Sequence, residues 1–297
     1  MERRFPLWLA LTALLALSAC DWGKPEAEDD WPDPNPLIFE IANQQGEVEG
    51  WLLGTVHALP DGVEWRTAAI EAVVNDADLL YVEVAELNDR TRIAGTFTSL
   101  ATTPDMGSLK LRIDPELHCT LEDMLNSSSY SPSDFANVED WAAAIMLARV
   151  GAPGNPDNGV DKVLIEDFDS REVRGFESAS EQLGIFDQLA AADQQDLLEG
   201  TLLEWSASRK DPSALTRAWL AGDEVTLSDV TTTGIMADPE LRAALLTDRN
   251  EAWIDPLVDT LAQSPRPLVA VGAAHVIGPD GLAAMLEARG FSVRRLE

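Results

Sequence analysis

Two apolar runs that end in the same short pattern constrain this fold more than any other sequence feature. Residues 48–53 lead into Gly54 and His57, with the spacing Gly-x-x-His. Pro267–Gly272 leads into His275 with the same spacing. Short apolar runs are typical of buried strands, and open α/β sheets bind ligands beyond the carboxyl ends of strands. The glycine is expected to let the backbone turn there and to keep the mouth of the site open. Both histidines can share a site if the two strands are close neighbours in one sheet, which we predict.

The rest of the pattern favours an α/β fold. Leu79–Val84 has the composition of a buried strand, and apolar residues at helical spacing over residues 65–77 predict a helix before it. Strand, helix and strand in this order are typical of a βαβ unit. Residues 37–41 and 48–53, with a turn between them, predict a hairpin. Further helices are predicted over 133–150, 159–165, 180–205, 213–222, 239–261 and 278–289, and strands over 172–176, Pro267–Gly272 and 291–296. We therefore expect a central mixed β-sheet with helices around it and a largely helical middle segment.

The amino terminus has the features of an export signal. Arg3 and Arg4 precede an apolar run over residues 7–17, which is shorter than the about 20 residues of a membrane-spanning helix. The run ends in Leu-Ser-Ala-Cys, which resembles a bacterial lipobox. We predict a lipoprotein signal peptide over 1–19, a lipid on Cys20, an acidic Pro-rich tether over 20–36, and one domain over 37–297. The alternative is an ordinary signal peptide with a cysteine there by chance.

The charge of the chain limits its partners. It has 52 Asp and Glu against 21 Lys and Arg, a net charge of −31. No surplus of positive charge is available to neutralise phosphates, so we expect no nucleic-acid partner. Anionic lipid headgroups would repel the protein, so membrane attachment depends on the lipid at Cys20. Asp21 directly after it resembles an inner-membrane retention signal. We therefore expect a protein on the periplasmic side of the envelope, anchored in the inner rather than the outer membrane.

Four side chains are candidates for chemistry. Histidine is the commonest metal ligand and acid–base group, although either His57 or His275 alone could be an ordinary loop or core residue. Glu83 lies between two valines, where a carboxylate is costly to bury unless it is paired or binds a cation. The alternative is an edge strand with Glu83 in water. The helical pattern around Arg249 by itself indicates a solvated residue. The sequence has no Gly-rich phosphate loop, His-Glu-x-x-His or Gly-x-Ser-x-Gly motif.

These candidates lie in stretches that, in their order, resemble the TraB/PrgY/GumN family, which includes the Tiki proteins. The similarity is greatest to the bacterial GumN-like branch. The matching stretches are 51–57, 81–83, 159–161, 175–178, 181–183, 219–223, 248–250, 253–254, 271–275, 278–282 and 289–291. The resemblance implies a fold shared with erythromycin esterase-like and ChaN-like proteins. Glu177, Glu181 and Gln182 match a family motif, but the resemblance assigns them no role.

The resemblance also implies a function. Tiki members are metal-dependent peptidases, so this chain is expected to be a metal-dependent hydrolase with a peptide or protein substrate. The family's proposed metal site corresponds to His57, Glu83 and His275, and its arginine to Arg249. Two histidines and a carboxylate leave positions open for water and substrate, and suit Mn, Co, Zn or Fe alike. Glu83 and Arg249 would be catalytic, with Arg249 stabilising an oxyanion.

Two other functions remain open at this point. A haem- or iron-binding envelope lipoprotein without catalysis would use the same histidines, with Tyr81 and Tyr130 as the phenolates available. An accessory envelope protein would keep the site only as a vestige. A haem absorbance band would favour the first alternative, and metal binding without turnover would favour the second.

Overall fold

The computed structural model describes residues 31–263 and 265–297. The predicted signal peptide over 1–19 and the lipid site at Cys20 lie outside the described residues. Near the end of the predicted tether, the backbone N–H of Asn35 donates to the carbonyl of Leu220 at 2.7 Å. Contacts with the domain therefore begin before residue 37.

The strands form one mixed sheet. Within the described residues they are β1 (Ile38–Ala42), β2 (Val48–Thr55), β3 (Leu79–Val84), β4 (Glu172–Glu177), β5 (Pro267–Gly272) and β6 (Ser292–Arg295), in the order β4-β3-β5-β2-β1-β6. The four strands from β4 to β2 are parallel, whereas β1 is antiparallel to β2 and β6. β2 pairs directly with β5, and Thr55 lies opposite Gly272. The predicted α/β class and the predicted adjacency of the two Gly-x-x-His strands are both confirmed.

Helices surround the sheet and dominate the middle of the chain. The described α-helices are α1 (Ala68–Asp76), α2 (Arg90–Ala101), α3 (His118–Asn126), α4 (Asp140–Leu147), α5 (Val160–Asp167), α6 (Ala179–Asp187), α7 (Ala191–Ser208), α8 (Ala214–Ala221), α9 (Glu224–Asp229), α10 (Pro239–Arg242), α11 (Asp248–Leu261), α12 (Ala273–Val276) and α13 (Leu282–Ala288). The middle helices share an apolar core in which Trp141 and Leu198 are fully buried. In the described part of the chain, no helix is both long and apolar enough to cross a membrane.

Two predicted helices are interrupted, one at a local turn and the other at a tertiary contact. The helix predicted over 180–205 is two helices, α6 and α7, because Ala190 is extended and the side chain of Gln194 donates to the carbonyl of Leu189 at 3.2 Å. The helix predicted over 133–150 is divided: Pro132–Phe135 is a 3₁₀-helix, and α4 covers Asp140–Leu147. Between them, Val138 forms a bridge with Thr102, and Glu139 is extended.

The helix predicted over 239–261 is continuous, but it contains one wider turn. A π-helical segment over Ala243–Thr247 joins α10 to α11. Such turns are rare and are frequent at functional sites. Arg249 follows this turn, and its guanidinium reaches back to the carbonyl of Leu245 at 3.3 Å.

Candidate active site

The sequence-predicted site residues meet at the carboxyl edge of the parallel strands. His57 follows β2, Glu83 lies near the end of β3, and Glu177 ends β4. His275 lies in α12, which starts directly after β5, and Arg249 reaches this edge from α11. The topology therefore brings together all four candidates for chemistry at the position where an α/β sheet binds ligands.

The glycine before each histidine is required by close contacts rather than by a turn. Gly272 has φ −47° and ψ 137°, which other residues also adopt. A Cβ on Gly272 would lie 3.1 Å from Oε1 of Glu83, 3.7 Å from Cδ2 of His275 and 4.0 Å from Nε2 of His57. A Cβ on Gly54 would lie 3.2 Å from Cα of Ala273. Neither glycine has a positive φ, so the expectation that they serve a turn is wrong. The space that Gly272 leaves open is bordered by the two rings and the carboxylate, as the expected open mouth requires, whereas Gly54 leaves room for Ala273.

His57 is held by a buried carboxylate. Its Nδ1 lies 2.9 Å from Oδ2 of Asp161, whose other oxygen accepts from the Thr55 hydroxyl at 2.6 Å. The side chain of His57 is 69% exposed, whereas that of Asp161 is 4% exposed. The negative charge of Asp161 raises the pKa of His57 to about 9. Without a metal, His57 is therefore an imidazolium at neutral pH.

His275 is held by a buried amide. Its Nδ1 lies 2.7 Å from Oδ1 of Asn250. The Asn250 nitrogen donates to the backbone carbonyls of Asp280 at 2.7 Å and of His275 at 3.3 Å, so the amide oxygen must face the ring. The proton therefore lies on Nδ1, and Nε2 carries the lone pair. Burial lowers the pKa of His275 to about 4 and keeps the ring neutral.

Glu83 is a buried and ionised carboxylate. β3 lies between β4 and β5, so the alternative of an edge strand with Glu83 in water is wrong. Oε1 of Glu83 accepts from the backbone N–H of Gly272 at 2.8 Å, and Oε2 accepts from Gln182 at 3.1 Å and from Arg249 at 2.7 Å. Burial by itself would raise the pKa of Glu83, but His275, His57, Arg249 and the Gly272 N–H lower it to about 2. Glu83 thus stays ionised without a metal, and its burial alone is no argument for one.

Arg249 joins the two sides of the site. Its Nε and Nη2 donate to the two oxygens of Glu177, each at 2.9 Å, and its Nη1 donates to Nε2 of His275 at 3.0 Å. Its Cζ lies 4.7 Å from the ring centre of Trp253, which also donates to Glu177 at 3.0 Å. The side chain is 11% exposed. The interpretation of Arg249 as a solvated helix residue is therefore wrong.

The positions of the donor atoms can be compared with those that a divalent cation requires. Nε2 of His275 and Oε1 of Glu83 are 3.9 Å apart, a separation that two ligands at about 2 Å from one ion can have. Each imidazole has an acceptor on Nδ1, as metal-ligating histidines usually have. Among the described residues, however, no group of three or more His, Cys, Asp or Glu is arranged to hold a metal. Arg249 bonds both Nε2 of His275 and Oε2 of Glu83. The donor types and ring orientations fit a cation once Arg249 releases these two atoms.

Several residues of the site received no role from the sequence. Asp161 and Asn250 are polar residues on otherwise apolar helix faces: Asp161 is buried with Val160 and Leu164, and Asn250 with Trp253. A polar residue in an apolar stripe was the signal that could have found them.

Glu177, Glu181 and Gln182, the motif residues without an assigned role, make three different kinds of contact. Glu177 pairs with Arg249, and Gln182 donates to Glu83. Glu181 accepts from the backbone N–H and the hydroxyl of Ser178, each at 2.7 Å, and thereby caps α6. Glu177 and Gln182 therefore belong to the site, whereas the contacts of Glu181 are those of a helix cap.

A comparison with models of protein families shows which family this chain belongs to. The model of the TraB/PrgY/gumN family matches residues 37–295. The chain belongs to the TraB/PrgY/gumN family. A search of curated proteins and a search of solved structures each found no match. The family match includes His57, Glu83, Arg249 and His275, so the whole candidate site lies within the family region.

Proposed function

We propose that this member of the TraB/PrgY/gumN family is a metal-dependent hydrolase of the cell envelope that cleaves peptide bonds. The observation that supports this most is the grouping of His57, Glu83 and His275 around the free space at Gly272. These three side chains would hold the cation. When bound there, a divalent cation lowers the pKa of a water and polarises a carbonyl.

Two partner residues prepare the imidazoles for this role. Asp161 holds Nδ1 of His57, and Asn250 holds Nδ1 of His275. Both rings therefore keep Nε2 as the atom available to the site, with His57 losing its Nε2 proton when it becomes a ligand. Metal affinity is accordingly expected to fall as pH decreases below the pKa of His57.

Arg249 would act on the substrate. Its Nε and Nη2 bond Glu177, and its Nη1 bonds His275. A shift of the planar guanidinium against the Glu177 carboxylate would take Nη1 off His275 and free it for the substrate. A guanidinium fixed in this way can stabilise the oxyanion that develops on a carbonyl under attack. Glu177 would be the positioning residue for Arg249, because it holds the plane of the guanidinium through two parallel bonds.

The place of action is also a proposal. A lipid on Cys20 and the acidic tether would hold the domain at the periplasmic side of the inner membrane. We expect Cys20→Ser to lose palmitate labelling and to leave the detergent phase, because the thiol that would carry the lipid is then missing. Labelling that persists in Cys20→Ser would contradict lipidation at this residue, and fractionation with the outer membrane would contradict the inner-membrane location.

The activity can be tested on the purified full chain. Its metal content is measured, and a peptide library is then digested before and after chelation and after addition of Mn, Co or Zn. We expect hydrolysis that chelator abolishes and added metal restores. The control variant Glu71→Gln is expected to keep this activity, since Glu71 lies on α1 in an exposed ion pair with Arg66. Hydrolysis that resists chelation would contradict the metal. Absence of hydrolysis by metal-loaded protein would contradict the hydrolase, and a haem absorbance band would favour the binding protein.

A further inference from the structure

A cleft of about 810 Å³ opens beside the candidate site. His57, Asp161 and Gln182 lie in its wall, and Gln182 donates to Glu83. This volume is within the range of sites that bind small molecules or short segments of a larger one. A ligand in this cleft would therefore lie next to the groups proposed to perform the chemistry.

One wall of the cleft is apolar and rigidly supported. Phe97 of α2, Ile145 and Met146 of α4, and Leu183 of α6 line it. These four side chains are partly buried and pack on the helical core. Phe97 also contacts the fully buried ring of Trp141, with ring centres 5.4 Å apart. The wall is thus the outer face of a packed core, which suits an apolar side chain of a substrate.

The cleft also has a surplus of positive charge, in a chain whose net charge is −31. Arg90, Arg149 and Lys162 line it. Arg90 and Lys162 both pair with one carboxylate, that of Asp157. The guanidinium of Arg149 forms no hydrogen bond or ion pair with any residue that the structure describes. An unpaired guanidinium beside an apolar wall is complementary to a ligand that carries both an anion and an apolar group.

We infer that this cleft selects substrates in which a carboxylate lies next to an apolar side chain, with Arg149 binding the carboxylate. Guanidinium binds carboxylate through two parallel hydrogen bonds, so a carboxylate matches Arg149 in shape as well as in charge. The carboxylate can come from the C-terminus of a peptide or from an Asp or Glu side chain. The inference rests on the proposed hydrolase function, since it describes the substrate of that site.

Binding without turnover tests this inference separately from the hydrolase. The full chain, in detergent and with chelator present, is titrated by calorimetry with acetyl-Leu-Phe, with its C-terminal amide, and with acetyl-Glu-Phe amide. We expect acetyl-Leu-Phe to bind about ten-fold or more tightly than its amide, because a charge-assisted bond is lost in the amide. Tight binding of acetyl-Glu-Phe amide would show that a side-chain carboxylate can also bind Arg149.

Two matched variants locate the effect. Arg149→Gln is expected to bind acetyl-Leu-Phe and its amide with equal affinity. Arg92→Gln, an exposed change on α2 outside the cleft lining, is expected to keep the preference for acetyl-Leu-Phe over its amide. Phe97→Ala is expected to weaken all the probes that bind wild type. The inference is overturned if wild type binds acid and amide equally or binds no probe, or if Arg149→Gln still prefers the acid. None of these results depends on whether hydrolysis is found.

Discussion

The two histidines of the site have the same local sequence but opposite environments. His57 is 69% exposed and pairs with the Asp161 carboxylate, which raises its pKa to about 9. His275 is 8% exposed and pairs with the neutral amide of Asn250, and burial lowers its pKa to about 4. In the metal-free protein at neutral pH, one ring is therefore a cation and the other a neutral acceptor.

This difference shows that the surroundings of each ring, rather than the Gly-x-x-His pattern, determine its protonation: the Asp161 carboxylate for His57 and burial for His275. A neutral His275 accepts from Arg249, and a positive His57 contributes to the low pKa of Glu83. The site is thus arranged around a negative carboxylate with positive groups beside it. A divalent cation would enter by replacing some of this positive charge.

The largest expected effect comes from removing the guanidinium of Arg249, which lies between the carboxylates of Glu83 and Glu177. Arg249→Gln leaves Glu83 and Glu177 buried without it, so the free energy of unfolding should fall by about 3–5 kcal/mol. The pKa of His275 should rise from about 4, because Arg249 lowers it and Glu83 raises it. The contrast between the histidines then becomes smaller. Urea unfolding at pH 7 and NMR titration of the imidazoles measure both quantities.

Arg92→Gln is the control for Arg249→Gln, because it makes the same change of charge at an exposed position. Its free energy of unfolding should stay within about 0.5 kcal/mol of wild type. If Arg249→Gln is as stable as wild type, Arg249 does not hold the two carboxylates as the structure indicates.

The second effect concerns metal affinity. Glu83→Gln is nearly isosteric and should keep the fold, but we expect calorimetric titration with Mn, Co or Zn to show affinity lower by at least about 10–100-fold. Glu71→Gln is the matched control, because its carboxylate is exposed on α1, and it should bind like wild type. Equal affinity in wild type and Glu83→Gln would remove Glu83 from the proposed ligands.

The third and smallest effect is a dependence of stability on pH. The pKa of His57 is raised above 6.5, so its contribution to stability is complete below pH 6.5 and is lost as pH rises through about 9. Asp161→Asn should lower this pKa and make unfolding of the metal-free protein less sensitive to pH between these values. For His275 the sign is opposite, and its contribution is lost as pH falls from 6.5 through about 4.

Asp157→Asn is the control for Asp161→Asn, because Asp157 lies in the same cleft but pairs with Arg90 and Lys162. It should leave the titration of His57 close to that of wild type. If Asp161→Asn also leaves the pKa of His57 near 9, the carboxylate is not the cause of the shift.

The strands, and the closeness of the two that precede the histidines, could be expected from the sequence more readily than the environment of the site. Leu79–Val84 and Pro267–Gly272 are strands at the predicted bounds because their apolar runs are short and end in polar or glycine-rich segments. α2 was not predicted, since threonines and a glycine weaken its helical pattern and Ala101 is its one buried residue. Its position depends on contacts with the rest of the domain.

Long-range pairing explains why the roles of single residues were missed. Asp161 lies 104 residues from His57 in the chain, and Glu177 lies 72 residues from Arg249. No local pattern specifies such pairs. The family resemblance identified the stretches that contain them, but only the fold shows which carboxylate faces which cation.

The most direct test of the central claim is whether both histidines bind the same cation. The chain has three histidines, and His118, at the start of α3, is an internal control. Protein labelled with ¹⁵N in histidine is titrated with Zn²⁺ and followed by NMR of the ring nitrogens. We predict that Nε2 of His57 and Nε2 of His275 shift together, that both shifts are complete at one equivalent, and that His118 is unchanged. A shift of only one of the two, or of neither, would contradict a single metal site formed by His57, Glu83 and His275.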